Sequence, residues 1–163
     1  MGPWTSRPRG LPFDQWPVQR SVPGLGYVWY TQPATLVNQV HLGRAGLDGV
    51  QRLHDLIDEV IARRADEFRP HGGLLMIHDW RLVSGYESDA RKEYLERMRS
   101  REPGYLRGAV AIVRDTPLLR MAVQTANMVM AFRTGGTLEM GLDPVSALVR
   151  HRVETPQETA WLP

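Results

Sequence analysis

The fold turns on residues 74–90: Leu74-Leu75-Met76-Ile77-His78-Asp79-Trp80-Arg81-Leu82-Val83-Ser84-Gly85-Tyr86-Glu87-Ser88-Asp89-Ala90. The opening four residues form an apolar run after His71-Gly72-Gly73, the pattern of a strand covered on both faces. Beyond the polar middle, Ala90, Tyr94, Leu95 and Met98 recur at helical spacing until Glu102-Pro103-Gly104 ends the run near Arg101. Two caps compete for the helix start. Ser84 with Glu87 has the spacing of a capping box, and Ser88, followed by Asp89, caps a later start. The stretch is therefore one strand, its exit loop and the first turn of a crossover helix.

The same alternation extends in both directions. Toward the amino terminus, residues 47–68 place Val50, Leu53, Ile57, Val60, Ile61 and Phe68 at helical spacing, with Asp48 in the first turn and Arg69-Pro70 as the stop. Before them, residues 27–32 and 36–42 are β-rich runs separated by Pro33-Ala34-Thr35, which predicts an antiparallel hairpin. Toward the carboxyl terminus, residues 108–113 form a second apolar strand. Asp115-Thr116-Pro117 then starts a helix, with Thr116 capping and Pro117 at its first position, that ends before Thr134-Gly135-Gly136. Leu138, Met140 and Leu142 alternate with Thr137, Glu139 and Gly141 as a half-exposed strand, and Asp143-Pro144 opens a last helix reaching Arg150. The order ββαβαβαβα predicts an α/β domain: a mixed, mostly parallel sheet with an N-terminal antiparallel hairpin and helices packed on it.

Composition fits one domain. The chain has 163 residues, 42% hydrophobic and 23% charged, near the globular average and too short for two independent cores. Residues 1–26 carry five prolines and four glycines and read as an extended tail, residues 27–152 as the domain, and residues 153–163 as a polar C-terminal tail. Trp4, Phe13 and Trp16 in the first tail either pack on the domain or dock a partner.

Charge and residue inventory narrow the function classes. The absence of cysteine removes disulfides, zinc ribbons, iron–sulfur ligation and thiol nucleophiles. No apolar run approaches the roughly 20 residues of a membrane span, and no apolar signal region opens the chain, so the expectation is a cytoplasmic protein. The formal net charge is +2; three arginines against one aspartate lie in residues 1–26, which leaves seventeen charges of each sign in the remainder. A balanced body lacks the clustered cations that nucleic-acid binding requires.

Chemistry-bearing patterns are sparse. His41, His54, His71, His78 and His151 show no helical zinc spacing, and Gly24-Leu25-Gly26 precedes a hairpin where a phosphate loop would open a helix. The expectation is no catalytic residue, no cofactor and no metal. His78-Asp79 at a strand end is the sole catalytic candidate, against its reading as a hydrogen-bonded turn. The helix of residues 117–132 carries a wide apolar band, so Met121 and Met128 lie either in a protein contact or homodimer surface, or in the core.

From residue 27 to 152 the order of elements resembles the STAS domain of bacterial anti-sigma-factor antagonists. In that family an aspartate after the strand is followed by Asp-Ser-Ser/Thr-Gly at the second helix, and a partner kinase phosphorylates the first serine. Counting from Asp79 puts Glu87 at the motif aspartate and Ser88 at the phosphoacceptor; Asp89 stands where the family has Ser or Thr, and Ala90 where it has Gly. The resemblance implies a noncatalytic, partner-switching regulatory module that binds a kinase or an anti-sigma-like protein. On this view Asp79, Ser84, Glu87, Ser88, Asp89 and Arg91 form the partner-binding segment, with Met121 and Met128 beside it, and phosphorylation of Ser88 is the switch. A small-molecule or lipid sensor with a pocket under the third helix is the alternative, and an enzyme centred on His78 and Asp79 the third reading.

Overall fold

In a computed structural model, residues 13–133, 137–141 and 143–158 are described. The first part of the predicted tail, with Trp4, lies outside them, as do Thr134-Gly135-Gly136, Leu142 and residues 159–163. Eight strands and four helices follow in the order β1 Arg20–Val22, β2 Gly26–Thr31, β3 Thr35–Val40, β4 Arg44–Ala45, α1 Leu47–Phe68, β5 Leu74–Asp79, β6 Gly85–Tyr86, α2 Ser88–Ser100, β7 Leu106–Ile112, α3 Pro117–Arg133, β8 Leu138–Gly141 and α4 Pro144–Arg150.

The main sheet runs β1-β2-β3-β5-β7-β8. Its first three strands are antiparallel, with Tyr30 opposite Leu36, and the last four are parallel, with Ile77 beside Val37 and Val110. Each parallel strand is added on the same side of its predecessor. Right-handed crossovers then place α1, α2 and α3 on one face, since handedness and direction together leave no other choice. Leu53, Ile57, Val60, Met98, Leu119, Val123 and Met130 accordingly form one core with Val28, Leu36, Met76 and Ala111.

The opposite face needs another cover, and the presumed tail supplies it. Phe13 and Trp16 are buried against Trp29, Val37, Ile77 and Ile112, with Ala147 and Leu148 of α4 completing the layer. Residues 13–26 are thus part of the domain, and β1 lengthens the hairpin to three strands. Burying three large rings outweighs the segment's poor intrinsic propensity for regular structure. The residues after α4 are likewise tied down: Glu154 N donates to Gln32 O at 2.8 Å, and Thr31 Oγ1 donates to Glu154 O at 2.9 Å.

Caps at the later helices follow the sequence. Leu119 N donates to Thr116 Oγ1, and Asp143 accepts from Val145 N and Ser146 N. At α2 neither predicted serine cap forms. Glu87 occupies the cap position without a side-chain cap bond, while Ser84 Oγ donates to Gly43 O at 3.0 Å. The loop is held by the short parallel pair β4–β6, so Ser84 is committed to a neighbouring segment before the helix begins.

Candidate functional site

At the carboxyl ends of the parallel strands, α1, α2 and α3 stand away from the sheet around a cavity of about 110 Å³, partly open to solvent. Val40 and Val113 form its floor with Trp80. Gly49, Val50 and Leu53 come from α1, Ala90, Arg91, Tyr94 and Leu95 from α2, and Leu119, Ala122, Val123 and Ala126 from α3. The space exists because small residues stand where the helices face inward. Gly49 is required for another reason: a Cβ there would lie 2.8 Å from Gly24 O, so a side chain would push the start of α1 off residues 24–25.

Two of the helices around it are tied together by charge. Arg97 of α2 bonds Asp55 at 2.8 Å, Asp58 at 3.0 Å and Glu93 at 2.9 Å, and Arg101 bonds Asp58 at 2.7 Å. This clamp fixes α1 against α2 beyond the cavity, toward the carboxyl end of α2. Cooperating pairs of this kind constrain geometry better than isolated surface pairs do.

Deeper in the same layer lies a chain of buried polar groups. Trp80 Nε1 donates to Asn38 Oδ1 at 3.2 Å, which orients the amide so that its Nδ2 donates to His78 Nδ1 at 2.7 Å. The remaining His78 nitrogen lies 3.3 Å from the Tyr94 hydroxyl. Burial pushes the His78 pKa down to about 3, so the ring is neutral. His54 Nδ1 accepts from Arg101 Nη1 at 2.9 Å, and burial together with the Arg101 charge holds its pKa well below the ordinary value. Its Nε2 has no hydrogen-bond partner among the described residues and faces a space of about 10 Å³ shared with Tyr94, His78 and Tyr105. That is about the volume of one ordered water.

The predicted catalytic pair is taken apart by strand geometry. His78 and Asp79 are consecutive in β5, so the pleat points them to opposite faces. Asp79, only 3% exposed, accepts from Gln39 Nε2 at 2.9 Å and from both Arg81 Nε and Nη2 at 2.8 Å. Both residues lie in the strand, and a hydrogen-bonded turn begins at Asp79, whose Oδ1 also accepts from Arg81 N at 3.3 Å. Asp79 is also separated from the rest of the predicted partner-binding segment.

The other predicted site residues stay together around the start of α2. Ser84, Ser88, Asp89 and Arg91 are exposed beside Glu87, whose Oε2 accepts from Leu47 N at 3.3 Å. Arg91 lines the cavity. Met121 and Met128 are 56% and 60% exposed on the outer side of α3 and are not core fillers. The sequence offers a pocket under the third helix as the alternative and places Ala90, Tyr94 and Leu95 on an inner helix face; the structure adds the α1 wall of Gly49, Val50 and Leu53. Among the described residues no group of three or more His, Asp or Glu side chains is placed to hold a metal ion, and no helix is long and apolar enough to cross a membrane.

No family model matches the chain, and no curated protein matches it. Among solved structures, an uncharacterized protein of the DUF3478 family from Shewanella loihica PV-4, described as having a SpoIIAA-like fold, superposes with a TM-score of 0.53 at 16% identity. The match covers 76% of this chain and 89% of that one. The fold is SpoIIAA-like. It is the STAS architecture that the order of elements implied, here with a SpoIIAA-like sheet preceded by a packed aromatic segment.

Proposed function

We propose that the protein is a noncatalytic binding module whose SpoIIAA-like core receives a small apolar molecule between the sheet and α1–α3. One observation carries this reading: the cavity of about 110 Å³ is walled almost wholly by aliphatic and aromatic side chains. In open α/β sheets ligands bind at the carboxyl ends of the strands, where this cavity lies. A cavity of about 150 Å³ in another protein is large enough for benzene, so a body of roughly five or six carbons suits this one. The neutral, engaged His78 and the Arg81-bound Asp79 support binding without catalysis.

Benzene and n-pentane titrated into the labelled protein are expected to shift the methyl resonances of Leu53, Leu119 and Val123 saturably and to raise the Tm. Ala126→Leu and Ala122→Val, which fill the space from different positions, are expected to weaken both effects. Saturable shifts absent from the unmodified protein would reject the reading.

A second reading, regulation through a protein partner, is favoured by Leu82, Leu118, Met121 and Met128, all large, apolar and exposed. Phosphorylation of Ser88, which the STAS resemblance implies, would place about two negative charges one helical turn from Arg91. Affinity purification with the unmodified protein, with Met121→Glu/Met128→Glu and with Ser88→Asp tests this reading. A single partner is expected to be retained by the first and lost by the other two; equal retention by all three would exclude these residues from the contact.

A further inference from the structure

One ionised residue, Arg91, contributes to the cavity lining, and none of the lining residues is a carboxylate. Arg91 is exposed at the solvent side of the cavity and makes no ion pair or side-chain hydrogen bond among the described residues. The acids beside it are engaged elsewhere: Glu87 accepts from Leu47 N at 3.3 Å, and Asp89 lies 3.6 Å from Lys92. An anionic ligand head at the cavity mouth would exchange part of the hydration of Arg91 for a charge-assisted pair.

We infer that the ligand is a short acidic amphiphile, an apolar body of about six carbons with a single carboxylate head held by Arg91. The guanidinium fork matches a carboxylate bidentately. A monoanion is favoured over a phosphate dianion, because Glu87, one helical turn before Arg91, would repel the second charge. This assignment rests on the cavity being the ligand site and adds its chemical class.

Calorimetric titration with hexanoate, 1-hexanol and hexyl phosphate tests it against the unmodified protein, Arg91→Gln and Arg91→Lys. Hexanoate is expected to bind the unmodified protein about ten-fold more tightly than 1-hexanol, the scale of one charge-assisted hydrogen-bonded pair. The preference is expected to shrink as salt rises, to vanish in Arg91→Gln, and to survive in reduced form in Arg91→Lys. Equal affinity for hexanoate and hexanol in the unmodified protein, or a preference that persists in Arg91→Gln, would overturn the role of Arg91 while leaving the apolar site intact. Tighter binding of hexyl phosphate than of hexanoate would overturn the carboxylate assignment. If none of the three probes binds, the cavity reading fails as well.

Discussion

Trp29→Ala is expected to lower the unfolding free energy by about 3–5 kcal/mol, the range for deleting a fully buried aromatic side chain. Trp29 is 2% exposed at the centre of the face opposite the three crossover helices. Its ring lies 5.3 Å from that of Trp16, edge-on, and 6.1 Å from that of Phe13, stacked, and its Nε1 donates to Pro17 O at 2.8 Å. The substitution therefore removes the platform on which residues 13–17 sit, so the loss is not confined to one cavity. Against a total stability of roughly 5–15 kcal/mol for a single domain, such a loss is a large fraction. Urea denaturation measures it. Trp29→Phe, which keeps an aromatic ring, though a smaller one, and loses the bond to Pro17, is expected to cost distinctly less. A midpoint for Trp29→Ala within error of the unmodified protein would mean that the aromatic layer does not hold this face.

The protein is expected to lose stability as the pH falls below about 6.5, well above the range in which carboxylates protonate. Burial holds the His78 pKa near 3 in the folded state, and His54 is held well below its usual value by burial and by the Arg101 guanidinium. In the unfolded chain both imidazoles titrate near 6.5. Between about 6.5 and 3 the unfolded chain thus binds protons that the folded one excludes, and stability rises with pH across that window. A histidine excluded from protonation contributes at most about 1.4 kcal/mol per pH unit there, so His78 alone is expected to remove about 2 kcal/mol between pH 7 and pH 5, and His54 adds a loss of the same sign. Urea midpoints at the two pH values read this directly. His78→Gln is expected to show a distinctly smaller pH dependence, whatever its stability at pH 7. A midpoint that stays constant from pH 7 to pH 5 would show that both histidines can be protonated inside the fold.

The two effects come from parts of the chain that were unequally visible in the sequence. The period of the apolar residues marked α1 at 47–68, and the dipeptides Thr116-Pro117 and Asp143-Pro144 marked the starts of α3 and α4, because caps and helix faces are local properties. The STAS resemblance rested on the order of those elements, and the SpoIIAA-like fold carries the same order. Residues 13–26 were misread because proline and glycine content reports what a segment does in isolation. The burial of Phe13 and Trp16 depends on a sheet face that forms from residues far along the chain. His54 illustrates the same limit: it stands on α1, but its burial is set by Arg101 and Tyr94, more than a helix away in sequence.

The sequence by itself determined the alternation of strands and helices; right-handed crossovers put α1, α2 and α3 on one face only because the strand order is β3-β5-β7-β8, and that order is a tertiary property. Only the tertiary structure decided that His78 and Asp79 point apart, that Glu87 displaces both serines at the α2 cap, and that small side chains from three helices leave a cavity with Arg91 beside it. The division has a physical cause. Periodicity and capping depend on neighbours a few residues apart, whereas an unfilled space is the mismatch between surfaces brought together from distant segments, and no single segment records it.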